Sequence, residues 1–127
     1  MKIGCAVIYE DGKILLVKKA YGDFKNFFEF PGGKKKSNET IQNCIQREVL
    51  EEIGCKSKIL ELIYDYTTSN LHLLFHKVKL LTNNIQLSKE HTDYTWLSVI
   101  KAKEGCFNGL LIRSDYEFLE YLEKYEF

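Results

Sequence analysis

Glu48, Glu51 and Glu52 stand at i, i+3 and i+4, which puts three carboxylates on one face if the segment is helical. Like charges at this spacing cost roughly a few tenths of a kcal/mol per pair. A hard divalent cation offsets such repulsion, because Mg²⁺ takes oxygen ligands and few protein carboxylates. An isolated glutamate-rich face is ordinarily just solvated, but the context here argues otherwise. Pro31-Gly32-Gly33 reads as a turn just before the helix. There a bare Gly32 carbonyl could reach the same ion, and glycine suits close backbone approach. Arg47 lies one turn before Glu51 and can brace it with an ion pair.

The elements that must position these groups follow from hydrophobic pattern. A helix is expected from about Thr40 to Ile53, with Ile45, Val49 and Ile53 as the stripe that seats it on a sheet. Gly54 is a natural residue to end it. Residues 3–9 and 13–18 read as strands around Glu10-Asp11-Gly12, a hairpin signal. Residues 27–30 read as a short strand stopped by Pro31, followed by a polar stretch from Lys34 to Asn38. Residues 57–67, 71–80 and 94–97 read as further strands. A last helix is expected from Ser114 to Tyr125, capped by Ser114, with Phe118, Tyr121, Leu122 and Tyr125 at helical spacing. The expected fold class is therefore α/β or α+β, a mixed sheet with two main helices.

Composition excludes several classes. A chain of 127 residues is one domain's worth, and no repeat, linker or low-complexity tract divides it. Lys plus Arg and Asp plus Glu number 18 each, so no bulk attraction to polymeric nucleic acid or anionic membrane is expected. No secretory signal and no transmembrane run is read. Cys5, Cys44, Cys55 and Cys106 lack C-x-x-C spacing. They read as small buried residues in a reducing, cytoplasmic protein rather than as a zinc site or disulfide framework.

The segment from Gly33 to Cys55 resembles the Nudix box, G-x5-E-x7-R-E-U-x-E-E-x-G-U, with U a bulky aliphatic residue. Gly33, Glu39, Arg47-Glu48-Val49, Glu51-Glu52 and Gly54 match, and Cys55 replaces the final aliphatic residue as a small apolar substitute. The lead-in Phe28-Glu29-Phe30-Pro31-Gly32-Gly33-Lys34, and Lys89-Glu90 followed by Trp96, resemble MutT-like members of that family.

The resemblance implies an α/β/α sandwich over the whole chain, 1–127, and Mg²⁺-dependent hydrolysis of a nucleoside diphosphate linked to another moiety, with Mn²⁺ as an alternative ion. It implies metal ligation by Glu48, Glu51 and Glu52 with the Gly32 carbonyl, orientation by Arg47, and a structural or outer role for Glu39. Glu90 falls where such enzymes place a loop glutamate that joins the metal or activates water; its alternative is an exposed loop acid. The general base is Glu48 or Glu90, with Glu48 favoured. Lys19 and Lys34 are candidates for substrate phosphates, or else solvated lysines.

The downstream marks of ADP-ribose, NADH and dinucleoside polyphosphate hydrolases, and the coenzyme A signature, are not found. This leaves the MutT-like group, which converts (deoxy)nucleoside triphosphates, oxidised ones included, to a monophosphate and pyrophosphate. Asp115 stands near where that group reads the base edge with Asn or Asp, since a carboxylate accepts from amino and imino donors. Its plain alternative is a first-turn helix acid. Phe28, Phe30 and Leu73 are candidates to line the base pocket or to fill the core. The expected partner is a small nucleotide, and the expected assembly a monomer or homodimer. RNA 5′ ends, nucleotide sugars and dinucleoside polyphosphates remain alternative substrates. A catalytically silent nucleotide sensor is the alternative of another class.

Overall fold

The computed structural model describes residues 1–111 and 115–127. The chain opens with strands β1 (Lys2–Glu10) and β2 (Lys13–Lys19). Asp11 and Gly12 both take positive φ, 51° and 78°, as the tight hairpin turn read from the sequence requires. Then come β3 (Phe28–Glu29), β4 (Gly32–Lys34), helix α1 (Ile41–Ile53), β5 (Ser57–Thr67), β6 (His72–Leu80) and β7 (His91–Leu97). Helices α2 (Val99–Phe107) and α3 (Tyr116–Glu123) complete it.

β1 organises the sheet. Its first part runs parallel to β6, Lys2 opposite His72 through Ile8 opposite Val78, and antiparallel to β4, Cys5 opposite Gly32. Its end pairs with β2. β2 in turn carries β3 on one side and β7 on the other. The sheet is thus mixed, as expected.

Alternation along the strands assigns the two faces. Ala6, Ile8, Leu15 and Val17 pack with Ile45, Val49 and Ile53 of α1. Val7, Ile14 and Leu16 face the other way, onto Ala102 and Cys106 of α2 and Phe118, Leu119 and Leu122 of α3. This is the α/β/α sandwich. α1 is delimited as the sequence implied: the Thr40 hydroxyl accepts from the Asn43 amide at 3.1 Å, and Gly54 ends the helix in the left-handed region at φ 70°.

The structure adds detail to these expectations. Beside the two main helices read from the sequence, α1 and α3, the described residues form a further helix, α2. α2 buries only the small Ala102 and Cys106 while Ile100 and Phe107 face solvent, so its pattern lacks a large apolar stripe. Gly32 and Gly33 form a strand rather than only a turn, because lack of side chains lets β4 slide between β1 and α1. A Cβ on Gly33 would sit 2.5 Å from a Glu48 carboxylate oxygen. In α3 the buried stripe is Phe118, Leu119 and Leu122, and Tyr121 is exposed. The Ser114 cap lies outside the described residues.

Candidate active site

The three glutamates of α1 differ in burial because they leave the helix at different angles to the sheet. Glu52 is 2% exposed, Glu48 is half-buried and Glu51 is exposed. Glu52 Oε2 accepts the Gly32 amide at 3.1 Å, so β4 and α1 are tied through this carboxylate. Burial first, then the adjacent Glu48 carboxylate, push the Glu52 carboxyl well above the ordinary carboxylate range.

Arg47 braces the rest. Its guanidinium meets Glu39 with Nη2 at 2.7 Å and Nε at 3.0 Å, Glu48 with Nη1 at 2.8 Å, and Glu51 with Nη1 at 3.3 Å. Nη2 also donates to the Lys34 carbonyl at 3.1 Å. The paired Arg47 bonds, then the Lys36 amide, hold the Glu39 carboxyl down at about 2. The ion pair expected between Arg47 and Glu51 is present, and Glu39 is the anchor for the guanidinium.

The segment before β7 brings in Glu90. The last carbonyls of α1 lack helical partners, and this segment satisfies them: Gln86 N donates to Ile53 O at 2.8 Å and Ser88 N to Glu52 O at 3.0 Å. The Glu90 carbonyl accepts from Ala20 N at 3.0 Å, and its amide bonds Ser88 Oγ at 3.2 Å. Its main chain is thereby held while its carboxylate stays exposed.

Two residues that the sequence reading left without a role complete the cluster. The pairing of β2 with β7 shifts register between Lys18 and Lys19, and Lys19 ends opposite His91. Such a bulge re-aims side chains beside a site. His91 is 6% exposed. Its Nε2 lies 2.9 Å from Glu29 Oε2, and Lys19 Nζ lies 3.6 Å from the same oxygen. His91 Nδ1 is buried and has no hydrogen-bond partner among the described residues; it lies 3.8 Å from Glu52 Oε1. Glu52, Glu90 and His91 bring one ligand-capable atom each within 4.8 Å of one another. One buried and one exposed carboxylate held close together, plus a buried nitrogen, suit a divalent cation.

A cavity of about 250 Å³ opens beside this cluster, lined by Glu29, Gly32 and Gly33 at one end and by Leu73, Phe75 and Asp115 at the other. The last three also line a neighbouring cavity of about 250 Å³ walled by Tyr64, Tyr66 and Phe118. Asp115 occupies the cap position of α3 yet makes no side-chain cap hydrogen bond. Its carboxyl is pushed up to about 6 by burial and then by Glu29. Phe30 lines the first cavity while packing edge-on against Phe75 and Phe118. Phe28 faces a different cavity, with Leu97 and Ala102. Lys19 reaches the site through Glu29. Lys34 contributes its carbonyl to Arg47, and its side chain is exposed. Among the described residues, Glu51 is joined to the cluster through Arg47.

With this geometry in hand, the comparisons are specific. The NUDIX domain family model matches residues 1–121. A MutT-like protein of Streptomyces ambofaciens is 29% identical over 115 residues, 89% of this chain and 73% of that protein. An ADP-ribose pyrophosphatase of Methanocaldococcus jannaschii is 37% identical over 62 residues, and this chain spans only 37% of its length. The solution structure of the Escherichia coli ORF135 protein superimposes with a TM-score of 0.74 at 27% identity, covering 96% of this chain and 87% of that one. Other relatives are named for CTP, 8-oxo-dGTP and RNA. Among the described residues no helix is long and apolar enough to cross a membrane. The family match across most of the chain, together with the braced glutamate cluster at one end of the cleft, shows that the chain belongs to the NUDIX family of hydrolases.

Proposed function

We propose that the chain hydrolyses a (deoxy)nucleoside triphosphate to a monophosphate and pyrophosphate, with Mg²⁺, or Mn²⁺ in its stead, held by Glu48, Glu51, Glu52 and Glu90 and the Gly32 carbonyl. One observation carries this reading. The cleft joins the acidic cluster beside Gly32 and Gly33 to Asp115 and an aromatic wall, so one ligand could present phosphates at one end and a base at the other. Relatives named CTP pyrophosphohydrolase and 8-oxo-dGTP diphosphatase support the same substrate class.

When bound, the ion supplies positive charge that polarises phosphoryl oxygens and lowers the barrier to attack. The chain's own residues do the positioning. Glu48 is the general base: it takes a proton from the attacking water as the water oxygen bonds to phosphorus. The bond from phosphorus to the bridging oxygen breaks, and pyrophosphate leaves with that electron pair. Arg47 fixes Glu48 and Glu51, and Lys19 offers a cation to the phosphates. Asp115 accepts from the base edge, while Phe30 and Leu73 wall the base.

The test is a product assay with Mg²⁺ against normal and oxidised nucleoside triphosphates, ADP-ribose, nucleotide sugars, dinucleoside polyphosphates and 5′-triphosphate RNA. Monophosphate and pyrophosphate from a nucleoside triphosphate, at the highest kcat/KM of the panel, is the expected result. Preference for any other member, or release of orthophosphate from the triphosphate, contradicts the reading.

A further inference from the structure

We propose that His91 is a nitrogen ligand of the divalent cation held by Glu52 and Glu90, and that it biases this site toward Mn²⁺ and Co²⁺ relative to Mg²⁺. The inference rests on the cation site described under Proposed function and names a ligand outside its glutamates.

The ring's hydrogen bonds set its tautomer. A carboxylate is acceptor-only, so Nε2 at 2.9 Å from Glu29 Oε2 must carry a proton. In the neutral imidazole Nδ1 then presents a lone pair. That lone pair is buried and finds no donor among the described residues. A buried acceptor with no partner is a standing cost unless something absent from the protein atoms meets it. The nearest acidic oxygen, Glu52 Oε1, is 3.8 Å away, too far for a hydrogen bond. Two ligands on one ion, each about 2.1 Å from it, stand roughly 3–4 Å apart. Glu90 brings a third donor within the same 4.8 Å span.

The surroundings match the way ligand histidines are held. Such a histidine gives its other N–H to a carboxylate, which fixes ring and tautomer. Glu29 does this, and Lys19 at 3.6 Å steadies the Glu29 charge. The register shift between Lys18 and Lys19 sets His91 opposite Lys19. Mg²⁺ prefers oxygen, whereas Mn²⁺ and Co²⁺ accept imidazole more readily.

Pulsed electron paramagnetic resonance of the Mn²⁺-loaded protein tests this directly. With ¹⁵N-histidine incorporated, the wild type is expected to show a histidine nitrogen coupling at the ion. The chain has three histidines. His72 bonds Asp65 and His76 bonds the Leu60 carbonyl, so His91→Gln should abolish the coupling. The same variant should lower Mn²⁺ affinity about 10–100-fold while changing Mg²⁺ affinity less. Glu29→Gln should keep the coupling and weaken Mn²⁺ binding by about 10-fold. Bound Mn²⁺ with turnover but without histidine coupling in the wild type overturns the proposal and leaves the cation site standing. Absence of any Mn²⁺ or Mg²⁺ binding overturns both.

Discussion

The Arg47 guanidinium meets the Glu39 carboxylate side-on, with Nη2 to Oε1 at 2.7 Å and Nε to Oε2 at 3.0 Å, and from that anchor it reaches Glu48 and Glu51. Glu39 precedes α1, so this fork pins the chain entering the helix to the helix's own acidic face. Lysine keeps the charge but not the fork. Arg47→Lys is expected to lower kcat about 10–100-fold with a smaller change in KM, measured by steady-state kinetics. Equal kinetics would show that the fork positions nothing.

The same pair predicts an acid dependence. Arg47's hydrogen bonds hold Glu39 at about 2, below its ordinary 4.5. A depressed carboxyl contributes stability that is present above the unfolded pKa and lost as pH falls through the folded one. Chemical denaturation should therefore show wild-type stability declining between pH 4.5 and about 2, with a weaker decline over that window in Arg47→Ala. Parallel curves would contradict the assignment.

Gly33 has no room for a side chain on its acidic side. A Cβ there would fall 2.5 Å from Glu48 Oε1. The obstacle is the end of a flexible side chain, so Gly33→Ala should fold with a stability change of about 1 kcal/mol or less. A displacement of even 1 Å in a reacting group can cost about 10²-fold. The variant is expected to lose at least about 10-fold in kcat. Thermal denaturation alongside kinetics checks both parts, and wild-type turnover would remove Glu48 from the mechanism.

How much of this was legible in the sequence depended on distance along the chain. α1 was readable because Thr40, the Ile45-Val49-Ile53 stripe and Gly54 lie within one helix and each has a local physical reason. The hairpin at Asp11-Gly12 was readable for the same reason. α2 was not, since its buried positions are the small Ala102 and Cys106 and its larger apolar residues are exposed. Its start did carry a signal, because Ser98 caps Lys101 at 3.2 Å. The contact of His91 with Glu29 spans 62 residues and is set by pairing β2 with both β3 and β7, plus a register shift. No local spacing encodes that. The one available hint was a histidine beside Glu90.

Asp115 should make base recognition depend on pH. Burial, then Glu29, raises its carboxyl from 3.8 to about 6. A raised carboxyl contributes stability that is full below the unfolded pKa and lost as pH rises through the folded one. Asp115→Asn is therefore expected to be more stable than wild type at pH 7 and above. If the ionised group accepts from the base edge, KM for bases presenting amino or imino donors should rise as pH falls below about 6 in wild type. The Asn variant should lose that dependence and change the ranking of bases. Unchanged ranking and an unchanged pH profile would take Asp115 out of the base site.

Glu52 is the buried acid kept for a cation on which hydrolysis depends, and replacing it tests that role. Without metal its carboxyl is raised by burial and by Glu48, so its contribution to stability is lost as pH rises above the ordinary value of 4.5. The measurement is Glu52→Gln against wild type at neutral pH, with Tm recorded with and without Mg²⁺ and turnover of a nucleoside triphosphate recorded with Mg²⁺. That role predicts a metal-free variant at least as stable as wild type, a Tm rise with Mg²⁺ in wild type alone, and at least roughly 100-fold slower turnover in the variant. Full activity in Glu52→Gln, with the same Mg²⁺-dependent Tm rise as wild type, would contradict it.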